Sequence, residues 1–224
     1  EVDFIDGGVG VFDVVVGADG IHSRVRELAM PGVPRPAFAG QRIWRVDAAR
    51  PDELDEYVIQ AGPHGKVGLV AYSPERAYLY LLENAELGSP RPTGDLPAQL
   101  RERLAPFGGL APLVAMGMTG EVDVRDLLYL LVPLPWHHDR VVLIGDAAHA
   151  TTPQVSYGLG LAVEDGIVLT EELSRAGDVP GALESFGRRR FARARIVVES
   201  SLQLSRWEQS PPDDPTAYGA LLGR

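Results

Sequence analysis

The chain has 224 residues, 45% hydrophobic and 23% charged, with 21 basic against 31 acidic residues and a net charge of −10. That length can bury a real core, the acidity argues against nucleic acid as the main partner, and the absence of cysteine excludes disulfides and thiolate metal sites. No apolar run approaches the roughly 18 residues of a membrane span and the N-terminus carries no signal-peptide pattern, so no membrane partner is expected and the cytoplasm is the default location.

Residues 1–6 read as a strand, with Asp6-Gly7-Gly8 as a hairpin turn into a second strand at 12–16. Residues 23–29 read as a short helix capped by Ser23. The proline- and glycine-rich stretch 31–36 reads as a loop where the chain crosses into another domain. From residue 42 to about 84 the pattern changes to tyrosine-rich strands at 57–60, 66–72 and 77–82, with turns at Gly62-Pro63 and Ser73-Pro74; this predicts an antiparallel sheet. Residues 87–92 form a polar linker, 95–104 and 110–116 fit helices, and 121–131 reads as a strand. Residues 182–207 have helical periodicity, and from Pro211 onward the chain reads as a loosely held tail. There is no internal repeat.

Several side chains invite a role. Trp44, Tyr72, Tyr78 and Tyr80 are candidates for a substrate wall, although core or sheet-face packing is the plainer reading. Arg188, Arg189, Arg190, Arg193 and Arg195 interleave with Phe191, Ala194, Val197 and Val198, which reads as the solvated face of an amphipathic helix. His137 and His138 have no carboxylate cluster beside them and make a poor metal site. No metal is expected.

The most informative stretch is residues 140–160. Val141 to Ile144 reads as a strand buried on both faces. Gly145 allows a sharp turn, and Asp146 projects from the strand's carboxyl end, where open α/β sheets bind ligands. A loop follows, and Gly158-Leu159-Gly160 opens a helix that runs through Leu169, is apolar nearly all round and is therefore expected to be buried. A carboxylate facing a helix N-terminus suits a ligand that carries both hydroxyls and an electron-rich group.

This stretch resembles the GD motif of the FAD-dependent aromatic hydroxylases, the class A flavoprotein monooxygenases. A second segment, Phe12-Asp-Val-Val-Val-Gly-Ala-Asp-Gly-Ile-His-Ser-Arg-Val-Arg26, resembles that family's DG motif, in the right order and at the right spacing. Pro133-Leu-Pro-Trp136 resembles the usual run-in to the GD strand. The resemblance covers about residues 1–200. It implies that Asp146, after Gly145, binds the ribityl chain of FAD, that Pro153 lies beside the isoalloxazine ring, and that the N–H groups around Gly158, Leu159 and Gly160 face flavin N1 and O2. Asp19, with Gly20, would sit near the pyrophosphate, and the segment from Ser23 to Arg26 would serve NADH or NADPH. His149 more often supports the loop in this motif than reacts. No catalytic side chain is assigned, because in this family the flavin carries the chemistry.

The implied function is an NAD(P)H-using monooxygenase that hydroxylates an aromatic or related small molecule with O2 through a flavin C4a-hydroperoxide. Its rivals are a flavin-dependent halogenase or reductase, or a truncated non-catalytic FAD-binding paralogue. The implied fold is α/β (α+β overall): an incomplete FAD-binding Rossmann-like domain with an inserted, mostly antiparallel substrate sheet and C-terminal helices. Residues 1–35 and 126–176 would form the FAD-binding domain, 36–125 the substrate domain, and 177–224 a helical region and tail. The sequence departs from the family in two ways. Ser156 stands where many relatives have glycine. The family's G-x-G-x-x-G turn for the FAD diphosphate has no counterpart, since neither Gly8-Val-Gly10 nor Gly158-Leu-Gly160 has the third glycine. The chain therefore reads as the C-terminal part of a longer enzyme, expected to hold FAD weakly by itself.

Overall fold

The computed structural model describes residues 1–55, 57–62, 65–214 and 216–222. Pro63 of the expected Gly62-Pro63 turn lies outside them. In chain order the elements begin with β1 (Val2–Asp3), β2 (Val9–Gly10), β3 (Val15–Gly17), α1 (Arg24–Ala29), β4 (Ala37–Ala49), β5 (Val58–Gly62), β6 (Gly65–Ala71) and β7 (Arg76–Asn84). There follow α2 (Leu96–Leu104), α3 (Leu110–Met116), β8 (Asp123–Tyr129), β9 (His137–His138), β10 (Val141–Leu143), α4 (Asp146–His149), α5 (Gly158–Arg175), α6 (Val179–Gln209) and α7 (Ala217–Leu222). Among the described residues no helix is long and apolar enough to cross a membrane, and no cluster of three or more His, Asp or Glu could hold a metal ion.

The chain divides into two compact units. The first comprises Glu1–Ala37, Leu128–Leu204 and the chain from Pro212 onward. Here β10 pairs in parallel with β3 and antiparallel with β9, so it is the middle strand of three. That position explains its apolar run: Val142 and Leu143 are fully buried, packed with Trp136, Ala147, Leu183, Phe186 and Ala194. The N-terminal hairpin differs from expectation. Its second strand is β2 and not residues 12–16, while β3 joins the other sheet. The Asp6 carboxylate accepts from the N–H of Gly8 at 3.0 Å, and this closes the turn early. The segment after Pro211 includes the short helix α7, where a tail was expected.

The second unit comprises Phe38–Leu127 and Ser205–Pro211. Its sheet has the order β5-β6-β7-β4-β8, with β5-β6, β6-β7 and β4-β7 all antiparallel. The turn at Ser73 is closed by its hydroxyl, which accepts from the N–H of Arg76 at 3.1 Å. Alternation places Trp44, Val46 and Ala48 of β4 in the core with Val67, Leu69, Leu79 and Leu81, and this face is covered by Leu100 and Leu104 of α2 and Val114 of α3. Each such leucine contributes about 1.5–3 kcal/mol by leaving water. The 13-residue β4 was not legible as a strand. Its polar members Gln41, Arg42, Arg45 and Asp47 mask the alternation, yet Gln41 and Arg42 are buried through side-chain partners. Arg42 donates to Asp126 at 2.8 Å, and Gln41 accepts from Ser205 at 2.6 Å.

Candidate functional site

The turn after β10 is built by glycine. Gly145 has φ +57, in the left-handed region that glycine favours. A Cβ there would stand 3.1 Å from Ala162 Cβ of α5, so the crossing from strand to helix is tight. Asp146 then opens α4, a single helical turn where a loop was expected.

Asp146 and the start of α5 line one cavity of about 490 Å³, together with Gly20, Gly145, Gly158, Leu159 and Val163. Asp19, Arg26, Pro153 and Gly160 are not part of that lining. Asp146 makes no hydrogen bond to protein among the described residues. The surrounding walls strip part of its hydration and push its carboxyl above the usual range, with the charge of His149 pulling the other way. Tyr157, the residue before α5, gives no side-chain cap, so the first N–H groups of this 18-residue helix have no cap partner. At Gly20, φ +82, the space a Cβ would take is open. A carboxylate with no hydrogen-bond partner among the described residues and the uncapped start of α5 thus line the same open space. Such a donor set fits a ligand bearing hydroxyls at one end and an electron-rich edge at the other.

The glycines of α5 do more than allow a close approach. A Cβ on Gly160 would come 2.9 Å from the Tyr157 ring, and one on Gly158 would come 3.2 Å from Thr151. Ser156 takes the left-handed conformation at φ +52, which a glycine would adopt without strain, and its hydroxyl donates to the carbonyl of Pro153 at 3.2 Å. Pro153 itself starts a short 3-10 turn. The expectation that α5 is buried all round is wrong. Leu161, Asp165 and Leu169 form its buried stripe, while Leu159, Val163 and Ile167 are 81%, 55% and 57% exposed.

The turn is held from behind by a buried charge cluster. Asp165 accepts from the Gly145 N–H at 2.8 Å, from the His149 ring at 2.6 Å and from Arg190 Nε at 2.7 Å. Burial opposes the charge on Asp165, but His149, the Gly145 N–H and Arg190 outweigh it and hold the carboxyl below its usual range. His149 also packs on Trp136, with ring centroids 5.0 Å apart. Arg190 corrects the expectation of a solvated arginine face, because it is 5% exposed and also reaches Glu164 at 2.7 Å. Sequence reasoning missed both Asp165 and Arg190. The signal was there: Asp165 stands four residues from both Leu161 and Leu169, and Arg190 four from both Phe186 and Ala194. Opposite charges on two buried stripes call for each other.

The DG segment is locked by its own side chains. Asp19 accepts from the Ser23 hydroxyl at 2.5 Å and from the N–H groups of Arg24 and Val25 at 2.7 and 3.1 Å, capping α1. Partial burial opposes its charge, and these bonds win, lowering its carboxyl. Arg26 is buried. Its guanidinium donates to the carbonyls of Ile21 at 2.7 Å and Ala147 at 2.9 Å, tying this loop to the turn that carries Asp146. A second cavity, of about 570 Å³, is lined by His22, Arg24, Arg26, Arg35 and Leu128 among others. Of the tyrosine-wall candidates, Trp44 is fully buried and donates to Glu83 at 2.7 Å, which makes it core. Tyr72 accepts from Arg76 at 2.8 Å.

Glu164 gives a pH-dependent readout of the cluster. It accepts from Arg193 at 3.1 Å, Tyr157 at 2.7 Å and Arg190 at 2.7 Å. The Arg193 bond leads, burial opposes it, and the carboxyl is held down at about 2 against an ordinary 4.5. A carboxyl depressed by folding stabilises fully above its unfolded pKa and loses that contribution as pH falls through the folded one. The urea midpoint is therefore expected to drop between about pH 5 and about pH 2, and Glu164→Gln to flatten that drop. Equal pH slopes for the two proteins would contradict the assignment.

The family described as FAD binding domain matches residues 13–201. Aurachin C monooxygenase/isomerase of Stigmatella aurantiaca is 31% identical over 205 residues, 88% of this chain and 53% of that protein. The 2-heptyl-3-hydroxy-4(1H)-quinolone synthase of Pseudomonas aeruginosa is 31% identical over 215 residues, 93% and 56% of the two chains. The chain thus spans about half the length of the curated relatives it matches. Among solved structures, a Klebsiella pneumoniae HpxO variant complexed with FAD superposes with a TM-score of 0.83 at 24% identity, over 99% of this chain and 60% of that one, which shows a shared fold.

Proposed function

Because this chain belongs to the FAD binding domain family, we propose that the cavity between Asp146 and α5 holds FAD, and that the protein is a flavin-dependent monooxygenase acting on an aromatic or related small molecule. Asp146 carries the reading: an unpaired, partly desolvated carboxylate across one cavity from an uncapped helix end. In this reading Asp146 accepts from the ribityl hydroxyls. The N–H groups of Gly158, Leu159 and Gly160 donate to the electron-rich edge of the ring, beside Pro153. Gly20 leaves room for the pyrophosphate. Asp19 and Arg26 act through the backbone, one capping α1 and the other joining the two loops. Asp165, with His149 and Arg190, holds the N–H of Gly145 and so the direction of Asp146.

FAD held by Asp146 and the N–H groups of Gly158, Leu159 and Gly160 would supply two-electron redox chemistry and oxygen activation, with NADH or NADPH as the reductant and O2 as the source of the inserted oxygen. In this reading the pyridine nucleotide takes the cleft lined by His22, Arg24, Glu27 and Arg35, where Arg35 is the candidate phosphate partner because Arg24 already pairs with Glu27 at 2.8 Å. The protein's own tasks are binding, orientation and exclusion of water.

The test is a titration of the protein with FAD, read by flavin fluorescence, followed by NAD(P)H oxidation with a panel of ring compounds under isotopically labelled dioxygen. Saturable FAD binding and one labelled atom in the product are expected. No saturable binding overturns the cofactor reading. Halide dependence, or reduction without dioxygen, assigns the reaction to a halogenase or a reductase.

A further inference from the structure

Two residues stand next to the groups that line the cavity. Gly145 comes just before Asp146 on one wall, and Tyr157 comes just before Gly158 and Leu159 on the other. Each is tied to a different carboxylate of α5. The Gly145 N–H donates to Asp165 at 2.8 Å, and the Tyr157 hydroxyl donates to Glu164 at 2.7 Å. Tyr157 gives α5 no cap. Its side chain instead runs about two turns along the helix, over Gly160, where a Cβ would meet the ring at 2.9 Å. The helix entry is thus held by a side chain that reaches forward and not by a cap.

Arg190 of α6 joins the two ties. Its Nε donates to Asp165 at 2.7 Å, one Nη to Glu164 at 2.7 Å and the other Nη to the Leu161 carbonyl at 3.3 Å. The planar guanidinium presents these donors at fixed angles, so it holds both carboxylates at a set spacing. Arg193 donates to both Glu164 oxygens at 3.1 Å and lies 5.2 Å over the Tyr157 ring, but has no bond to Asp165. Among the described residues Arg190 alone bonds to both carboxylates. Its neighbours on α6 lie outside this path: Arg188 pairs with Glu184, and Arg189 with Glu171 and Glu172. A hydrogen-bonded path therefore runs from Gly145 through Asp165, Arg190 and Glu164 to Tyr157.

We propose that Arg190 is a positioning residue that sets the Asp146 turn and the start of α5 relative to each other, and that Tyr157 carries its control to the first turn of that helix. A cavity whose two walls are fixed in advance spends less ordering free energy when a ligand enters. That this brace serves FAD rests on the proposed function; that it ties the two walls does not.

The experiment begins without cofactor and follows two amides by NMR hydrogen exchange. The Gly145 N–H is held by Asp165, and the Leu161 N–H by the Tyr157 carbonyl at 3.0 Å. Arg190→Lys keeps the charge, but a single ammonium lacks the fork that serves both carboxylates. It is expected to speed exchange at both amides by roughly tenfold or more, and Arg189→Gln at neither. Acceleration at only one of the two, or the same acceleration throughout α6, overturns the proposal. If Arg190→Lys does not fold, Glu164→Gln carries the same test with the Asp165 pair left in place, and a change at Leu161 alone is the overturning result. The second arm adds FAD. Tyr157→Phe removes only the hydroxyl of an exposed ring, so its melting temperature is expected to hold. Its FAD affinity is expected to fall by about three- to tenfold and the absorption of the bound flavin to shift. Affinity and spectrum both unchanged overturn the proposal as well. Paired acceleration in a protein that takes up no FAD keeps the brace and removes the flavin reading. FAD uptake with neither amide responding to Arg190→Lys does the reverse.

Discussion

Asp165→Ala is expected to destabilise the protein by about 3–5 kcal/mol, because it breaks a buried pair from one side. The carboxylate satisfies three donors at once, from Gly145, His149 and Arg190. Removing it leaves the Arg190 guanidinium at 5% exposure with Glu164 as its remaining carboxylate partner, and it leaves the Gly145 N–H without an acceptor. Against a typical total of about 5–15 kcal/mol, that loss is a large fraction of folding stability. Urea unfolding at neutral pH measures it, and a change below about 1 kcal/mol would show that the cluster does not hold the turn. The double variant Asp165→Leu with Arg190→Met is expected to recover part of the loss, since it removes the unpaired buried charge while the Gly145 N–H and the His149 ring still lack their acceptor. A double variant as unstable as the single one would mean that shape, and not charge, governs the site.

The second large effect falls on ligand affinity. Asp146→Ala is expected to weaken FAD binding by about 10- to 100-fold, since each hydrogen bond to a charged group is worth about 1.5–3 kcal/mol and about 1.4 kcal/mol is a factor of ten. The apo protein should be no less stable, because among the described residues this carboxylate has no hydrogen-bond partner and it is partly desolvated. The gain in melting temperature on adding FAD should shrink, as stabilisation by a ligand follows the ratio of its concentration to its dissociation constant. Asp165→Ala and Asp146→Ala thus separate by assay: the first lowers the apo melting temperature, the second only the shift produced by the ligand. Unchanged FAD affinity in Asp146→Ala would place the cofactor elsewhere.

Local chemistry explains what could be read without coordinates. The strand, glycine turn and glycine-opened helix of residues 141–160 depend on neighbours a few residues away, so Gly145, Asp146, Gly158 and Leu159 could be named together from their order alone, and they line one cavity. Ser23 as a cap and the turn at Ser73 are local in the same way. Other features depend on which distant segments meet. Asp165 and Arg190 are 25 residues apart, and only packing of α5 on α6 turns two surface-looking charges into a buried pair. Burial of Gln41 and Arg42 in β4 required Ser205 and Asp126, which are 164 and 84 residues away. An all-round apolar α5 could be drawn from composition, but exposure of Leu159, Val163 and Ile167 is set by what packs against each stripe. The turn at Ser73, the Ser23 cap and the order of the glycine-turn motif were legible in the chain because they rest on short-range sterics and hydrogen bonds. Which charges pair and which apolar faces are covered followed from the fold, because burial and ion pairing are properties of contacts between residues far apart in the chain.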